Sequence, residues 1–462
     1  MVSTALTRQT EGHGGRALSP ASQPISVSRP ASASRLTGYV LPHSLHRRDQ
    51  LSKGEQYVGG LLAAQGRKSM RNIAALLGGG AAEQSMHHFI SASTWDWRPA
   101  REALARYLQR SAPPSAWVVR PHVIPKVGEW SVGVGPRSDR QAGEPSSGQY
   151  AYGLWSASDE VSVPVNWRLF LSDRWTGDQT RRRRAGIPTE VIGTTLEECA
   201  TATALEPLQS WRLPARPVVF DVPGADVRRL ATGFDAISVP LIARVGSLTA
   251  CEVAAPATPG FGSGPLTARH VLESVKGLRR AVEWVDHASG RRHTSLAMAI
   301  PVTLPRPERG TARAGLEGRR PLLLVGEWED PLLPPTRVWL TDLTRTPVPE
   351  LLRLTKLSGW TAHGVDNVGA RVGLRDFEGR SFGGWHRHMT LASVAHAVAA
   401  LSEAPSARAR TRASMVLGRR VSAAPLGRRP ARVPCAGSGS AGARSAPRDA
   451  ASSPASVHRA GR

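Results

Sequence analysis

Pro217-Val218-Val219-Phe220-Asp221 is a short apolar run that closes on a carboxylate, and the segments on either side of it decide the fold class. A stretch of helical character, Leu196–Leu208, precedes it. Before that stand four β-rich runs bounded by Pro, Gly and Ser: Trp117-Val118-Val119, Trp130-Ser131-Val132-Gly133-Val134, Tyr152-Gly153-Leu154-Trp155 and Val165-Asn166-Trp167-Arg168-Leu169-Phe170-Leu171. Strands followed by a helix and a further buried strand predict an α/β domain. In open α/β sheets a side chain at a strand end emerges at the rim where ligands bind, so Asp221 is a candidate functional acid; a cap or turn residue is the ordinary alternative.

Outward from this core, residues about 240–335 are strand-rich, with Leu241-Ile242-Ala243-Arg244-Val245 and Pro321-Leu322-Leu323-Leu324-Val325 as members. Helices are expected at 348–357 and 385–401. Residues 37–112 read as helical: Met70, Ile73, Ala74 and Leu77 repeat at helical spacing, the triple glycine 78–80 stops that helix, and Ala82, Met86, Phe89 and Ile90 form the next apolar face. Arg67, Lys68 and Arg71 cluster at one helix start, either a DNA contact or a solvated basic turn. Residues 1–36 and 404–462 are Ser, Ala, Pro, Gly and Arg with few large apolar side chains, which predicts disordered arms. The tail sets twelve arginines against one acid, Asp449, and resembles low-complexity read-through. The expected division is therefore 1–36, 37–112, 113–239, 240–335, 336–403 and 404–462.

Composition excludes several classes. A chain of 462 residues suggests about two to four units. Cys199, Cys251 and Cys435 lie too far apart for a disulfide framework or a paired metal knuckle. No apolar run reaches the roughly 18 residues of a membrane span, and no signal-peptide core is present, so a soluble, cytoplasmic protein is expected. The formal charge is +24, and only five of the 60 basic residues are lysines, leaving 55 arginines. With 45 Gly and 36 Pro in the same chain, coding bias competes with phosphate recognition as the source of that excess. Neither a phosphate-binding glycine loop nor a nucleophile elbow appears. His386, His388 and His396 invite a metal reading, but His386 and His388 diverge on a helix and no acid or thiol stands beside them at ligand spacing.

Ordered landmarks then accumulate: His46-Arg47-Arg48-Asp49-Gln50, Gly54-Glu55-Gln56-Tyr57-Val58-Gly59-Gly60-Leu61-Leu62, Arg67-Lys68-Ser69-Met70-Arg71-Asn72-Ile73-Ala74, His88-Phe89-Ile90-Ser91-Ala92-Ser93-Thr94-Trp95-Asp96-Trp97, Ile124-Pro125-Lys126, Phe377-Glu378-Gly379-Arg380-Ser381 and Trp385-His386-Arg387-His388-Met389-Thr390-Leu391. Over residues 43–404 the chain resembles insertion-sequence transposases of the DDE class, in particular the 701-type insertion-sequence family. The resemblance implies an all-helical N-terminal DNA-binding region, an RNase H-like catalytic core and a β-rich insertion between the second and third acids. It implies strand cleavage and transfer at insertion-sequence ends by three carboxylates holding two Mg²⁺ ions. DNA, as terminal inverted repeats, is the implied partner, and a homodimer and nucleoid association are further expectations.

The acids depart from that pattern. The resemblance places the first aspartate after Trp117-Val118-Val119 and before Ile124-Pro125-Lys126, where this chain has Arg120 and Pro121. The glutamate position falls at Ala362, beside His363, and only the second acid remains, as Asp221. At an effective dielectric near 20, a unit charge about 4 Å from a divalent ion feels roughly 8 kcal/mol, so exchanging attraction for repulsion cannot be absorbed. Glu129, Asp139 and Asp366 are the acids near enough in sequence to be weighed as substitutes. The expectation is a catalytically impaired transposase homologue that contacts DNA through Arg67, Lys68 and Arg71, with Arg380 and Arg387 as second choices. The alternatives are a non-catalytic repressor occupying the element's terminal repeats and an unstable relic.

Overall fold

Among the described residues five α-helices precede the first strand: α1 (Ala31–Val40), α2 (Arg48–Ala63), α3 (Met70–Ala75), α4 (Gly80–Ser91) and α5 (Arg98–Ser111). The Ser69 side chain caps α3 by accepting from the Asn72 N–H, and Met70, Ile73 and Ala74 turn inward as their spacing predicts. The computed structural model describes residues 31–136, 147–254, 264–305 and 320–404; most of the expected N-terminal arm and nearly all of the expected tail lie outside these residues.

The strands β1 (Ala116–Pro125), β2 (Val134–Pro136), β3 (Ser147–Ala157) and β4 (Ser162–Leu169) come next. Short helices α6 (Asp173–Thr176) and α7 (Gln179–Ala185) lead to α8 (Leu196–Ser210), which opens on a capping box of Thr195 and Glu198. β5 (Val218–Phe220), α9 (Val227–Asp235) and β6 (Leu241–Val245) follow. The strand-rich stretch then continues as β7 (Ala250–Val253), β8 (Leu266–Thr267), α10 (Ala268–Ser274), β9 (Arg280–Val285), β10 (Arg292–Thr303), β11 (Leu322–Trp328) and β12 (Arg337–Thr341). α11 (Val348–Gly364) and α12 (Phe382–Glu403) close the described chain.

These strands join in one large mixed sheet. β1, β5 and β6 lie side by side in parallel, and β3 pairs antiparallel with β1, with β4 beyond it. This α/β arrangement is consistent with the RNase H-like core that the resemblance implies. On the other side β12 pairs antiparallel with β6, and β11, β10 and β7 continue the same sheet. β6, counted from 240 in the expected insertion, thus belongs to the parallel trio.

Successive side chains of a strand point to opposite faces. On β4, Asn166 donates to the Thr203 carbonyl of α8 at 2.9 Å, whereas Trp167 donates to Ser393 of α12 at 2.8 Å. α8 therefore covers one face and α12 the other, and α11 lies against α12's side of β1 and β5. One expected strand is corrected: Trp130 to Gly133 form turns, and pairing starts only at Val134, because Gly133 takes a φ of 73° with Leu169 packed against it.

α12 is buried from Gly384 to Ala399. Its histidines serve separate contacts. His386 Nδ1 meets Arg101 at 3.1 Å, His388 lies between Tyr57 at 2.9 Å and the Gly373 carbonyl at 2.9 Å, and His396 faces the Gly364 carbonyl at 3.3 Å. Burial pushes His388, His396 and His122 of β1 down to about 4, and holds His386 well below its ordinary value. The unfolded chain takes up these protons near pH 6.5 and the folded chain does not, so stability falls as pH drops from about 6.5 towards 4. Each histidine contributes up to about 1.4 kcal/mol per pH unit, and urea unfolding at pH 7, 6 and 5 should show a midpoint that declines progressively.

Candidate functional site

The register of the parallel trio builds the site. Val119, Phe220 and Ala243 stand in one row, so the next row carries Arg120, Asp221 and Arg244. Asp221 is still tied to the sheet, its N–H donating to the Val119 carbonyl at 3.0 Å. All three side chains turn towards α11, and Asp221 is only 5% exposed.

Asp221 is surrounded by donors. Arg244 Nη1 reaches Oδ1 at 2.8 Å, Arg120 Nη1 lies 3.6 Å from Oδ2, and the Ser358 hydroxyl of α11 donates to Oδ2. Arg120 also donates to the Ser358 carbonyl, which ties β1 to the helix. Burial alone would raise the Asp221 carboxyl, but the Arg120 charge, the Ser358 hydroxyl and Arg244 outweigh it and hold the group below the usual carboxylate range. Further along the same face, Glu327 of β11 is buried with Lys356 of α11, whose ammonium sits 3.8 Å from the centre of the Trp284 ring. Arg337 stands opposite Glu327 across β12 and β11. This face thus sets each of its two buried carboxylates, Asp221 and Glu327, against cations.

Ala362 lies one turn beyond Ser358, on the side of α11 that faces Asp221. The fold therefore brings Arg120 to Asp221 and puts position 362 one helical turn away. The donor set does not suit a divalent ion. Hard Mg²⁺ needs several oxygen ligands, whereas this rim offers one carboxylate whose two oxygens already serve two guanidiniums and a hydroxyl. The other acids are engaged elsewhere: Asp366 with Arg375 at 2.9 Å, and Glu129 with Arg174 and Arg181 at 3.9 Å each, while Asp139 lies outside the described residues. Among the described residues no three His, Cys, Asp or Glu side chains gather as metal ligands.

Arg67, Arg71 and Arg380 are exposed at the surface. Lys68 and Arg387 are corrections. Lys68 is buried, its ammonium donating to the Ala64 carbonyl and its stem packed on Gly373, whose φ of 74° leaves room where a Cβ would clash. Arg387 is buried too and donates to the carbonyls of Trp95 at 3.2 Å and Ile90 at 3.0 Å. Neither reaches a surface that a phosphate could approach. The reading of the sequence missed Arg244 and Ser358; a charge inside the apolar run Leu241–Val245 was the available signal for the first.

A family model described as DDE superfamily endonuclease matches residues 40–297, more than half of the chain. The chain belongs to the DDE superfamily endonuclease family. The match takes in α2 to α5 and the strands that carry Arg120, Asp221 and Arg244, and it stops within β10. No curated protein matches the chain. Membership supports a transposase-like nuclease role and implies DNA as the partner. DDE superfamily endonucleases generally use divalent metal ions, and in this member the rim around Asp221 is a poor set of ligands for one. Among the described residues no helix is long and apolar enough to cross a membrane.

The guanidiniums at this DDE-family rim depend on the carboxylate between them. Asp221→Asn leaves Arg120 and Arg244 facing each other with no anion. Because both keep some contact with water, the expected loss is about 3 kcal/mol, at the lower end for breaking a buried pair. Thermal unfolding at neutral pH measures it, and an unchanged midpoint would show that the three charges are independent.

Proposed function

We propose that the chain is a transposase homologue of the 701-type insertion-sequence family that binds DNA at its element's terminal repeats and is catalytically impaired. The observation that carries this reading is Arg120, which lies 3.6 Å from Asp221 on the neighbouring strand, where the resemblance expects the first metal-binding aspartate. A guanidinium there supplies the positive charge that balances Asp221 and repels a second cation. The third position, Ala362, brings no oxygen. Asp221 keeps its place but serves as the counter-ion of two arginines.

DNA contact is assigned to Arg67, Arg71 and Arg380, and the helical segment α1 to α5 is read as the DNA-binding region. Arg71 and Arg380 form no ion pair among the described residues, which leaves their donors for phosphate. A homodimer and a place on the bacterial nucleoid fit this reading. A repressor that occupies the element's ends uses the same surface, and what supports it is that Arg71 and Arg380 have no ion pair among the described residues while the acids are not rebuilt.

The test is incubation of labelled terminal-repeat DNA with the full chain and Mg²⁺ or Mn²⁺. No strand cleavage is expected; cleavage that disappears in Asp221→Ala would overturn impairment. In gel shifts over a salt series, a preference for terminal repeats over random duplex is expected. Equal affinity for both, falling steeply with salt, would reduce the arginines to a non-specific coat.

A further inference from the structure

Four consecutive arginines, Arg181 to Arg184, form most of α7, and the fold sorts them by direction. Arg182 turns inward and donates to the carbonyls of Thr176 at 2.8 Å, Pro188 at 2.6 Å, Thr189 at 2.7 Å and Val191 at 2.7 Å. Those bonds fix the helix on the loop that follows it. The Asp178 side chain fixes the other end, accepting from the N–H groups of Thr180 and Arg181. The helix so held keeps Arg181 largely covered, paired with Glu129 and Asp178, and leaves Arg183 and Arg184 exposed.

Arg181 and Arg184, one turn apart, both lie over Trp130, at 4.9 and 4.5 Å from the ring centre. Trp130 is 38% exposed, unusual for so large a ring, and it belongs to the turn after β1. Stacking uses the flat face of a guanidinium and leaves its N–H edges free, the geometry that suits bidentate contact with phosphate. Arg183 is exposed, and neither Arg183 nor Arg184 forms an ion pair among the described residues.

This patch is continuous with the arginines already assigned to DNA. The Val132 N–H, two residues after Trp130, donates to the Arg380 carbonyl at 3.2 Å. Glu378, two residues before Arg380, meets Arg67 at 3.6 Å and accepts from the Met70 N–H at 3.3 Å at the start of α3. A basic strip therefore runs from α3 through the 378–381 turn and Trp130 to α7. It crosses elements that are far apart in sequence, and the acids Glu378, Glu129 and Asp178 lie along it. A strip of spaced guanidiniums, with Arg184 held over Trp130, matches a partner with charge repeated along a rod, as duplex DNA has.

We propose that Arg183 and Arg184 of α7, with Arg184 ordered by Trp130, bind the phosphodiester backbone of duplex DNA in continuation of Arg67, Arg71 and Arg380. The inference rests on the DNA-binding reading above and extends it to a surface outside the N-terminal helices. Phosphate contacts of this kind position the duplex and carry no sequence preference.

The experiment is fluorescence anisotropy of the full chain with a labelled terminal-repeat duplex, titrated at several salt concentrations. Each phosphate contact contributes about 0.9 to the slope of log K against log salt, so Arg183→Ala with Arg184→Ala should lower the slope by about 1.8. Trp130→Leu keeps every charge, so it should weaken binding while leaving the slope near that of the wild type. Arg269→Ala, at an arginine paired with Glu273 on α10, serves as the control and should change neither. A wild-type slope in the α7 double variant, in a chain that still binds, overturns this inference and leaves the DNA reading standing. No binding by the wild-type chain overturns both, and matched melting curves exclude misfolding as the cause.

Discussion

A helix with no face to water must find every hydrogen-bond partner inside the protein, and α12 is such a helix. Several of its polar side chains accordingly act as fasteners to neighbouring elements. Arg101 of α5 donates to Thr390 at 2.8 Å and to the His386 carbonyl at 3.1 Å, and it also reaches the Trp167 carbonyl on β4 at 2.7 Å. Arg387 holds the end of α4, Ser393 holds Trp167, and Tyr57 of α2 holds His388. Burial of the helix is thus what joins the N-terminal helices to the sheet, and with them the surface that carries Arg67 and Arg71. Phe377 and Trp97 pack on the same histidines, so the turn bearing Arg380 is fixed by the same core.

Much of this was legible in the sequence wherever the signal was local. The run Val218–Phe220, the helix from Leu196 and the long apolar helix around Trp385 fall where the residue pattern put them. Trp130–Val134 misled because alternating apolar residues also occur in a turn when an aromatic ring packs against arginines from another helix. Arg387 and Lys68 misled for a related reason: a cation beside other cations reads as a surface, yet backbone carbonyls can satisfy it in the interior, those of Trp95 and Ile90 for Arg387 and that of Ala64, four residues earlier, for Lys68. Asp221 was legible as a strand-end acid. Its partners were not, since Arg120, Arg244 and Ser358 come from three elements that only the sheet register and the lie of α11 bring together.

The expected insertion is better understood as an extension of the core. β12 pairs with β6, so hydrogen bonding runs unbroken from the parallel trio into β11 and β10. α11 then crosses this seam, with Ser358 against Asp221 on one side and Lys356 against Glu327 on the other. One helix therefore reads out the position of both parts of the sheet, and along its path the buried carboxylates Asp221 and Glu327 each meet a cation.

Arg120 also decides which charges such a rim can hold. A carboxylate at that position alone would stand beside Asp221 with like charge, would release the Ser358 carbonyl, and would still have no third oxygen from position 362 to complete a metal's shell. A chain with an acid at position 120 would therefore be less stable than the present one. The guanidinium makes the rim self-contained: Asp221 is balanced by cations of the protein itself, with no call on an ion from solution.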